Sequence, residues 1–305
     1  MICEGRVVIV TGAGRGIGRA HALEFARAGA RVVVNDLGVA GDGRPGDVAT
    51  GESPAEQVVA EIRAAGGQAI TNADDVADWE GARRLIASAV DTWGRLDVLV
   101  NNAGFVRDRM LVSCSEDEWD AVIRVHLKGH FAPLRHAGAY WRDRAKAGEP
   151  VDARIINTSS GAGLQGSVGQ GAYSAAKAGI AGLTLVAAAE LGRYGVTANA
   201  IAPAARTRMT EQVFAGAMAR PESGFDVMAP ENVAPLVVWL GSAESRAVTG
   251  RVFEVQGGLI TLSDGWRPAA KIDRGRRWEP AEVGAAVREL IGSAPAPMKV
   301  YGSQG

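Results

Sequence analysis

The stretch TGAGRGIG, residues 11–18, follows the β-branched run RVVIVT at 6–11 and precedes a helical stretch at 18–28. Glycines at such a turn let the backbone bend tightly and approach a pyrophosphate, whose charge the helix N-terminus favours. A glycine-rich turn alone is weak support, because many strand-to-helix turns contain glycine. The pattern predicts a strand–turn–helix unit and makes nucleotide binding the first hypothesis.

Short β-branched runs alternate with helical periodicity along the rest of the chain, and their apolar residues are continuous, which suits strands covered on both faces. This alternation predicts an α/β fold with a single doubly wound parallel sheet (Rossmann-type), helices on both faces and a C-terminal extension. The predicted strands are 6–11, 31–36, 68–73, 96–100, 154–158, 197–202 and 251–255. The predicted helices are 18–28, 54–65, 79–93, 116–147, 172–194 and 230–242.

Three segments depart from a minimal version of this architecture. Residues 37–53 are a long polar loop, and residues 206–224 are either a lid helix or an irregular connection. The third segment is the tail at 265–305. We predict one cofactor-binding domain at 1–264, with the tail packing on it or on a partner subunit.

Composition limits the class of protein. With 47% hydrophobic and 22% charged residues, the 305-residue chain is typical of a well-cored globular protein. A formal charge of −1 gives no electrostatic footprint for nucleic acid or an anionic membrane.

Cys3 and Cys114 cannot form a disulfide framework, and the charged N-terminus predicts no signal peptide, so we expect a cytoplasmic protein. The apolar stretch 175–191 contains Lys177 and predicts a packed helix rather than a membrane span.

The second predicted strand ends at Asp36, 18 residues after Gly18. A carboxylate there can accept both hydroxyls of an adenosine ribose, although it could instead cap the following loop. The same charge would repel the 2′-phosphate of NADP, whereas Arg15 could face that phosphate. Because the ribose contact needs close geometry and Arg15 can reach solvent or pyrophosphate, we predict NAD.

Two more strand ends carry residues suited to a nucleotide. Asp75 and Val76 follow the third strand, where they could hold the adenine amino group, and the small residues of NNAG, 101–104, follow the fourth. Ligands bind in the crevice outside the carboxyl ends of such strands. The residues predicted to bind the cofactor from these turns are Gly12, Arg15, Gly16, Ile17, Gly18, Asp36, Asp75, Val76, Asn102, Ala103 and Gly104.

Tyr173 and Lys177 lie four positions apart in an alanine-rich helical stretch and so share one face. A phenol with its ordinary pKa near ~10 is poorly matched to proton transfer at neutral pH. A neighbouring ammonium and a positively charged nicotinamide would lower that pKa. Ser160, 13 residues before Tyr173, could hydrogen-bond the substrate oxygen. A Tyr/Lys pair alone is more often a solvated face, but with the nucleotide-binding turns it indicates catalysis.

These motifs, in this order and spacing, resemble the short-chain dehydrogenase/reductases over residues 5 to about 258. The motifs that carry the resemblance are TGAGRGIG, Asp36, NNAG, Ser160 and YSAAK at 173–177. The resemblance implies that Tyr173 is the general acid/base and that Ser160 orients the carbonyl or carbinol. It also implies that Lys177 lowers the pKa of Tyr173 and binds the nicotinamide ribose.

The resemblance adds further expectations. Tyr173, Lys177, Pro203 and Thr207 join the predicted cofactor contacts; Pro203 matches the family's Pro-Gly turn, although Ala204 replaces the glycine. Members of the family pair the helices that correspond to 116–147 and 172–194 across a dimer interface. We therefore expect a homodimer or homotetramer.

Further stretches, among them VHLKGHF and IAPAARTRMT, are similar to one branch, the (3R)-hydroxyacyl-CoA dehydrogenase domain of peroxisomal multifunctional enzyme type 2. This resemblance implies NAD-dependent oxidation of a (3R)-3-hydroxyacyl-CoA in β-oxidation of fatty acids or sterol side chains. The alternative substrate is a free 17β-hydroxysteroid. A non-catalytic NAD-binding scaffold is the alternative of another class, and the joint presence of Ser160, Tyr173 and Lys177 argues against it.

His126 stands where many family members have a catalytic Asn. His126 and His130 also have a spacing that can bind metal, but no third ligand is apparent, so we predict no metal site. The charge run Arg274, Arg276 and Arg277 is either a solvated face or a site for a CoA phosphate.

Overall fold

A computed structural model describes residues 1–38, 53–207, 218–263 and 265–303. The predictions for the loop 37–53 and for a lid within 206–224 fall largely outside the described residues. The remainder of the chain contains every other predicted strand and helix.

One sheet runs through the described part of the chain. Its strands are β1 (Val7–Thr11), β2 (Arg31–Asn35), β3 (Gln68–Asn72), β4 (Val98–Asn101), β5 (Ala153–Thr158), β6 (Val196–Ala204), β7 (Val252–Gln256) and β8 (Leu259–Ser263). Their order is β3-β2-β1-β4-β5-β6-β7-β8, parallel except for β8, which pairs antiparallel with β7. The predicted doubly wound α/β fold is confirmed.

Sequence reasoning missed β8. Gln256 pairs with Leu259, so the intervening Gly257 and Gly258 form a two-residue hairpin turn. Such a Gly-Gly pair between apolar runs is a hairpin signal that could have revealed the strand. The strand forms an edge of the sheet, and its Leu259, Ile260 and Leu262 are exposed.

Helices cover both faces of the sheet. They are α1 (Gly16–Arg27), α2 (Pro54–Ala64), α3 (Trp79–Trp93), α4 (Glu116–Ile123), α5 (Gly129–Lys146), α6 (Gly161–Gln165), α7 (Gly171–Leu191), α8 (Ala234–Gly241) and α9 (Pro280–Ser293). The predicted helix 116–147 is α4 and α5 joined by a π-helical turn, Arg124–Lys128. Such turns within α-helices frequently occur at functional sites.

Two hydrophobic clusters lie on opposite faces of the sheet because successive strand residues point to opposite sides. Val8 and Val10 of β1 belong to the cluster under α1, α2 and α8, whereas Val7 and Ile9 belong to the cluster under α3, α5 and α7. Within the second cluster, the Trp141 indole N–H donates to the backbone oxygen of Leu96 at 2.7 Å. Both faces of the central strands β1, β4 and β5 are therefore covered, as their continuous apolar residues predicted.

Buried polar side chains tie the strands together at their carboxyl ends. The Asn101 amide donates to Asn157 at 2.9 Å, and the Asn157 amide donates to the Thr184 hydroxyl at 2.9 Å. These bonds join β4, β5 and α7 at the edge where β1 and β4 diverge toward opposite halves of the sheet. Such a switch point is where doubly wound folds bind ligands.

The helix α7 with its following turn, Gly171–Tyr194, is long and apolar enough to cross a membrane by length and composition, with a mean hydropathy of 1.3. A helix packed on a sheet passes the same test, and α7 contacts β5 and β6. Lys177 on this helix is buried. The packing agrees with the predicted core helix.

Candidate active site

A cavity of about 570 Å³ opens at the carboxyl edge of the sheet, beside the switch point. Every residue predicted to bind the cofactor, from Gly12 through Asp36 and Asn102 to Thr207, lies in its wall. The fold thus brings together four turns that are far apart in sequence.

The glycine-rich turn leaves the N-terminus of α1 open to this cavity. Arg15 at the N-cap forms no capping hydrogen bond through its side chain, and the first turn of α1 has no acidic residue. A Cβ on Gly18 would lie 2.1 Å from the oxygen of Gly12, and one on Gly12 would lie 2.8 Å from Cα of Ala103. The close approach requires glycine, and the helix N-terminus offers donors and a positive dipole end to an anion. The turn therefore fits the diphosphate of a dinucleotide.

Asp36 caps the loop that follows β2, and its role as a ribose acceptor stays a prediction. One carboxylate oxygen accepts a hydrogen bond from the backbone N–H of Gly14 at 2.8 Å, and the other accepts from Gly38 at 2.7 Å. The carboxylate thus holds the turn and the loop after β2 while it lines the cavity. Because each carboxylate oxygen accepts more than one bond, it keeps capacity for a ribose hydroxyl.

Asp75 is fixed by two partners. One of its oxygens accepts from the backbone N–H of Ala77 at 2.8 Å, and the other forms an ion pair with Arg124 at 2.5 Å. The backbone of Asp75 and Val76 lines the cavity beside this pair. A ligand at this point meets a carboxylate held in one orientation.

Asn102 connects the ends of β1 and β4. Its side-chain amide donates to the oxygens of Thr11 at 3.0 Å and Gly12 at 3.3 Å. The Thr11 hydroxyl accepts from the backbone N–H groups of Asn102 and Ala103. Asn102 therefore supports the glycine-rich turn from behind.

Ser160, Tyr173 and Lys177 lie close together at the cavity, and Tyr173 and Lys177 form part of its wall. Ser160 caps α6 and hydrogen-bonds Tyr173. The Lys177 ammonium donates to the oxygen of Thr158 at 2.6 Å and lies 5.5 Å from the centre of the Tyr173 ring. The three side chains form one group beside the cofactor cavity.

Burial dominates the titration of this group. It raises the pKa of Tyr173 above its ordinary value; the hydrogen bond with Ser160 opposes this, and the charge of Asp108 adds to it. Burial also lowers the pKa of Lys177 to about 7. The lowered phenol pKa expected from the sequence is therefore not present in this structure. Lys177 is instead poised to exchange a proton near neutral pH.

His126 is a site residue whose role the sequence left open. The π-helical turn buries its ring, where Nε2 lies 2.6 Å from the oxygen of Phe105 and the ring stands edge-on to Tyr173, 5.1 Å away. Burial, with Lys177 nearby, lowers the pKa of His126 to about 3, so the ring is neutral. A Cβ on Gly104 would lie 2.3 Å from this ring, which explains the glycine of NNAG.

His130 is also buried, and neither ring nitrogen has a hydrogen-bond partner among the residues that the structure describes. Burial and the nearby charge of Lys177 lower its pKa well below the usual range. Within the described residues, no group of three or more His, Cys, Asp or Glu side chains is placed to hold a metal ion.

Replacing Lys177 by Met tests whether burial of the Lys177 ammonium lowers the free energy of unfolding. Its folded pKa of about 7 lies below the ordinary 10.5, so the unfolded chain binds more protons between these values and stability rises with pH there. We expect the free energy of unfolding of the unmodified protein to rise from pH 7 to pH 9.5 by roughly 2 to 3 kcal/mol more than that of Lys177→Met. Urea unfolding at the two pH values measures the difference.

The control for this experiment is Lys146→Met, which removes an exposed lysine at the end of α5. Its pH dependence should match that of the unmodified protein. Identical pH dependence in Lys177→Met and the unmodified protein would contradict a strongly lowered pKa.

Comparison with known proteins places these features in a family. The family model described as short chain dehydrogenase matches residues 6–217, from the start of the sheet through β6. A crystal structure of a short chain dehydrogenase from Mycobacterium avium is 62% identical and superposes with a TM-score of 0.87, covering 99% of this chain and 100% of that one.

Two curated relatives are informative about chemistry. The hydroxyacyl-CoA dehydrogenase ChsB1 of Mycobacterium tuberculosis is 48% identical over 94% of this chain and 89% of its own length. The peroxisomal multifunctional enzyme type 2 of Mus musculus is 47% identical over 84% of this chain, which spans 32% of that larger protein. Together with the matched family model, these relatives show that the chain belongs to the short-chain dehydrogenase/reductase family, oxidoreductases that use NAD(P).

Proposed function

We propose that this protein oxidises a (3R)-3-hydroxyacyl-CoA to the 3-oxoacyl-CoA with NAD, in β-oxidation of fatty acids or sterol side chains. The observation that carries the proposal is the proximity of Ser160 and Lys177 to Tyr173 beside the cofactor cavity. The substrate class is supported by the relative ChsB1, whose name is that of a hydroxyacyl-CoA dehydrogenase.

The three side chains have distinct roles in the oxidation. Ser160 hydrogen-bonds the carbinol oxygen and holds it against Tyr173. Deprotonated Tyr173 takes the hydroxyl proton as the carbon–hydrogen bond breaks, and Lys177, with a pKa of about 7, stabilises the phenolate when protonated. When bound, NAD would supply the hydride acceptor and a positive charge that favours the phenolate.

Initial rates test this proposal. We expect oxidation of a (3R)-3-hydroxyacyl-CoA with NAD, with little or no oxidation of the (3S) epimer. Tyr173→Phe should lower kcat by at least about a hundredfold with little change in NAD affinity, because it removes the proton acceptor and keeps the ring. Tyr194→Phe, on the surface turn after α7, is the matched control. Retention of activity in Tyr173→Phe within about tenfold would assign the proton transfer to another group.

The choice of NAD over NADP is attributed to Asp36, whose carboxylate would face a 2′-phosphate. Asp36→Asn removes the charge but keeps an oxygen that can accept from Gly14. We expect the ratio of kcat/KM for NADP to that for NAD to rise at least about tenfold, because charge repulsion is relieved. Asp91→Asn, an exposed change on α3, is the control. An unchanged ratio would contradict the role of Asp36 in cofactor choice.

A free 17β-hydroxysteroid is the second candidate substrate, because it presents the same secondary alcohol to Ser160 and Tyr173. Oxidation of the steroid without the thioester would keep the reaction type and discard the β-oxidation role. Absence of any turnover with intact NAD binding would favour the non-catalytic scaffold.

Arg274 and Arg276, which the sequence offered as a site for a CoA phosphate, both form ion pairs with Glu282 at the start of α9.

We propose a homodimer or homotetramer, acting in the cytoplasm, where the free thiols of Cys3 and Cys114 would persist. The outer face of α7 exposes Leu185 and Val186, and α5 exposes Phe131. These two helices supply the apolar surface that a symmetric pair of subunits would cover.

Light scattering at micromolar concentration tests the assembly. We expect the mass of two or four chains, and Val186→Glu should shift the population toward the monomer because it buries a charge in the interface. Glu190→Gln, on the same helix, serves as the control. A monomer of the unmodified protein would contradict the proposal.

A further inference from the structure

The C-terminal segment 299–303 returns to the catalytic group. Tyr301 donates its backbone N–H to the oxygen of Gly166 at 3.2 Å and accepts from the N–H of Val168 at 2.8 Å. A parallel β-bridge joins Ser167 and Tyr301. Gly166 and Val168 belong to the connection between Ser160 and Tyr173. The tail is therefore hydrogen-bonded to the segment that links these two residues of the active site.

The side chains of the segment fill space that glycines leave open. A Cβ on Gly161 would lie 2.8 Å from the Tyr301 hydroxyl oxygen and 3.0 Å from its ring carbon Cε2. A Cβ on Gly166 would lie 3.3 Å from a methyl group of Val300. Since Gly161 directly follows Ser160, the Tyr301 ring lies against the backbone of the residue next to the catalytic serine.

Tyr301 is available to a ligand. Its side chain is partly exposed, at 45%, and its hydroxyl forms no hydrogen bond within the part of the chain that the structure describes. Burial, with the charge of Glu254, raises the pKa of Tyr301, so the hydroxyl stays neutral at physiological pH. The ring thus presents an apolar face with an uncharged polar tip.

The surroundings of Tyr301 are apolar and separate from the cofactor. Val168 and Val300 are exposed beside it. Neither Gly161 nor Tyr301 lines the cofactor cavity. A ligand whose oxygen is bound by Ser160 and which also contacts Tyr301 is therefore the substrate and not the cofactor.

We propose that Tyr301 is a specificity-determining residue whose ring forms a wall for the acyl chain of the substrate, beyond the carbinol held by Ser160. The inference rests on the proposed function, because it assigns the acyl part of a 3-hydroxyacyl thioester to this wall. It makes the tail part of the substrate site and explains why the connection after Ser160 begins with glycine.

A binding experiment separates this role from catalysis. Calorimetric titration of the NAD-loaded protein, in a Tyr173→Phe background that prevents turnover, compares (3R)-3-hydroxypalmitoyl-CoA with (3R)-3-hydroxybutyryl-CoA. We expect Tyr301→Ala to weaken binding of the long chain by about tenfold and of the short chain by less than about twofold, because only the long chain reaches the ring. Tyr301→Phe should bind both within about threefold of the parent. Met298→Ala, an exposed change in the same tail, should alter neither.

Two results would overturn the inference. Equal binding of the long chain by Tyr301→Ala and its parent means that the ring makes no substrate contact. Equal weakening of both chains together with a lower Tm means that Tyr301 only fastens the connection.

Turnover by the unmodified protein distinguishes this inference from the proposed function. If the unmodified protein oxidises the thioester and Tyr301→Ala binds the long chain as tightly as its parent does, only the inference is overturned. Chain-length-dependent binding without oxidation supports the wall at Tyr301 and overturns the proposed reaction. If neither thioester binds, the inference and the proposed function are both overturned.

Discussion

The backbone groups at the point where β1 and β4 separate lose their sheet partners, and the site depends on how they are satisfied. Thr11 donates its hydroxyl to Val100 and accepts from the two residues after β4, while Asn102 donates to the end of β1. Unpaired backbone groups in a buried position cost about 1–3 kcal/mol each. Side chains that pair them hold the ends of β1 and β4 together beside the cofactor cavity, whose wall includes Gly12, Asn102 and Ala103.

A second constraint follows from the same edge of the sheet. The buried Lys177 ammonium donates to the oxygen of Thr158. Two neutral histidines are nearby: His126 lies on the π-helical turn and His130 at the start of α5. Their neutrality matters, since a charged imidazole beside a buried ammonium would be repelled. The π-helical turn thus places an aromatic ring against Tyr173 without adding a positive charge.

The sequence predicted the sheet, the family and the set of residues around the cavity because each depends on local signals. Continuous β-branched runs revealed seven strands, and glycine spacing revealed the turn above α1. The raised pKa of Tyr173 was not predictable in the same way, because spacing places Lys177 near the phenol but says nothing of the burial of the phenol. The tail was expected to pack on the domain or on a partner subunit, but its contacts with Gly161 and Gly166 were not predictable, because they are long-range and carry no local motif.

The proposed role of Asp36 in coenzyme choice is tied to the local structure of the fold. Its two oxygens accept from the backbone N–H groups of Gly14 and Gly38, so the side chain also braces the turn and the loop after β2. On that proposal, a lineage that exchanges Asp36 for a small residue to admit a phosphate also removes the acceptor of both donors. A change of coenzyme through this position would then cost stability unless a second substitution supplied new acceptors.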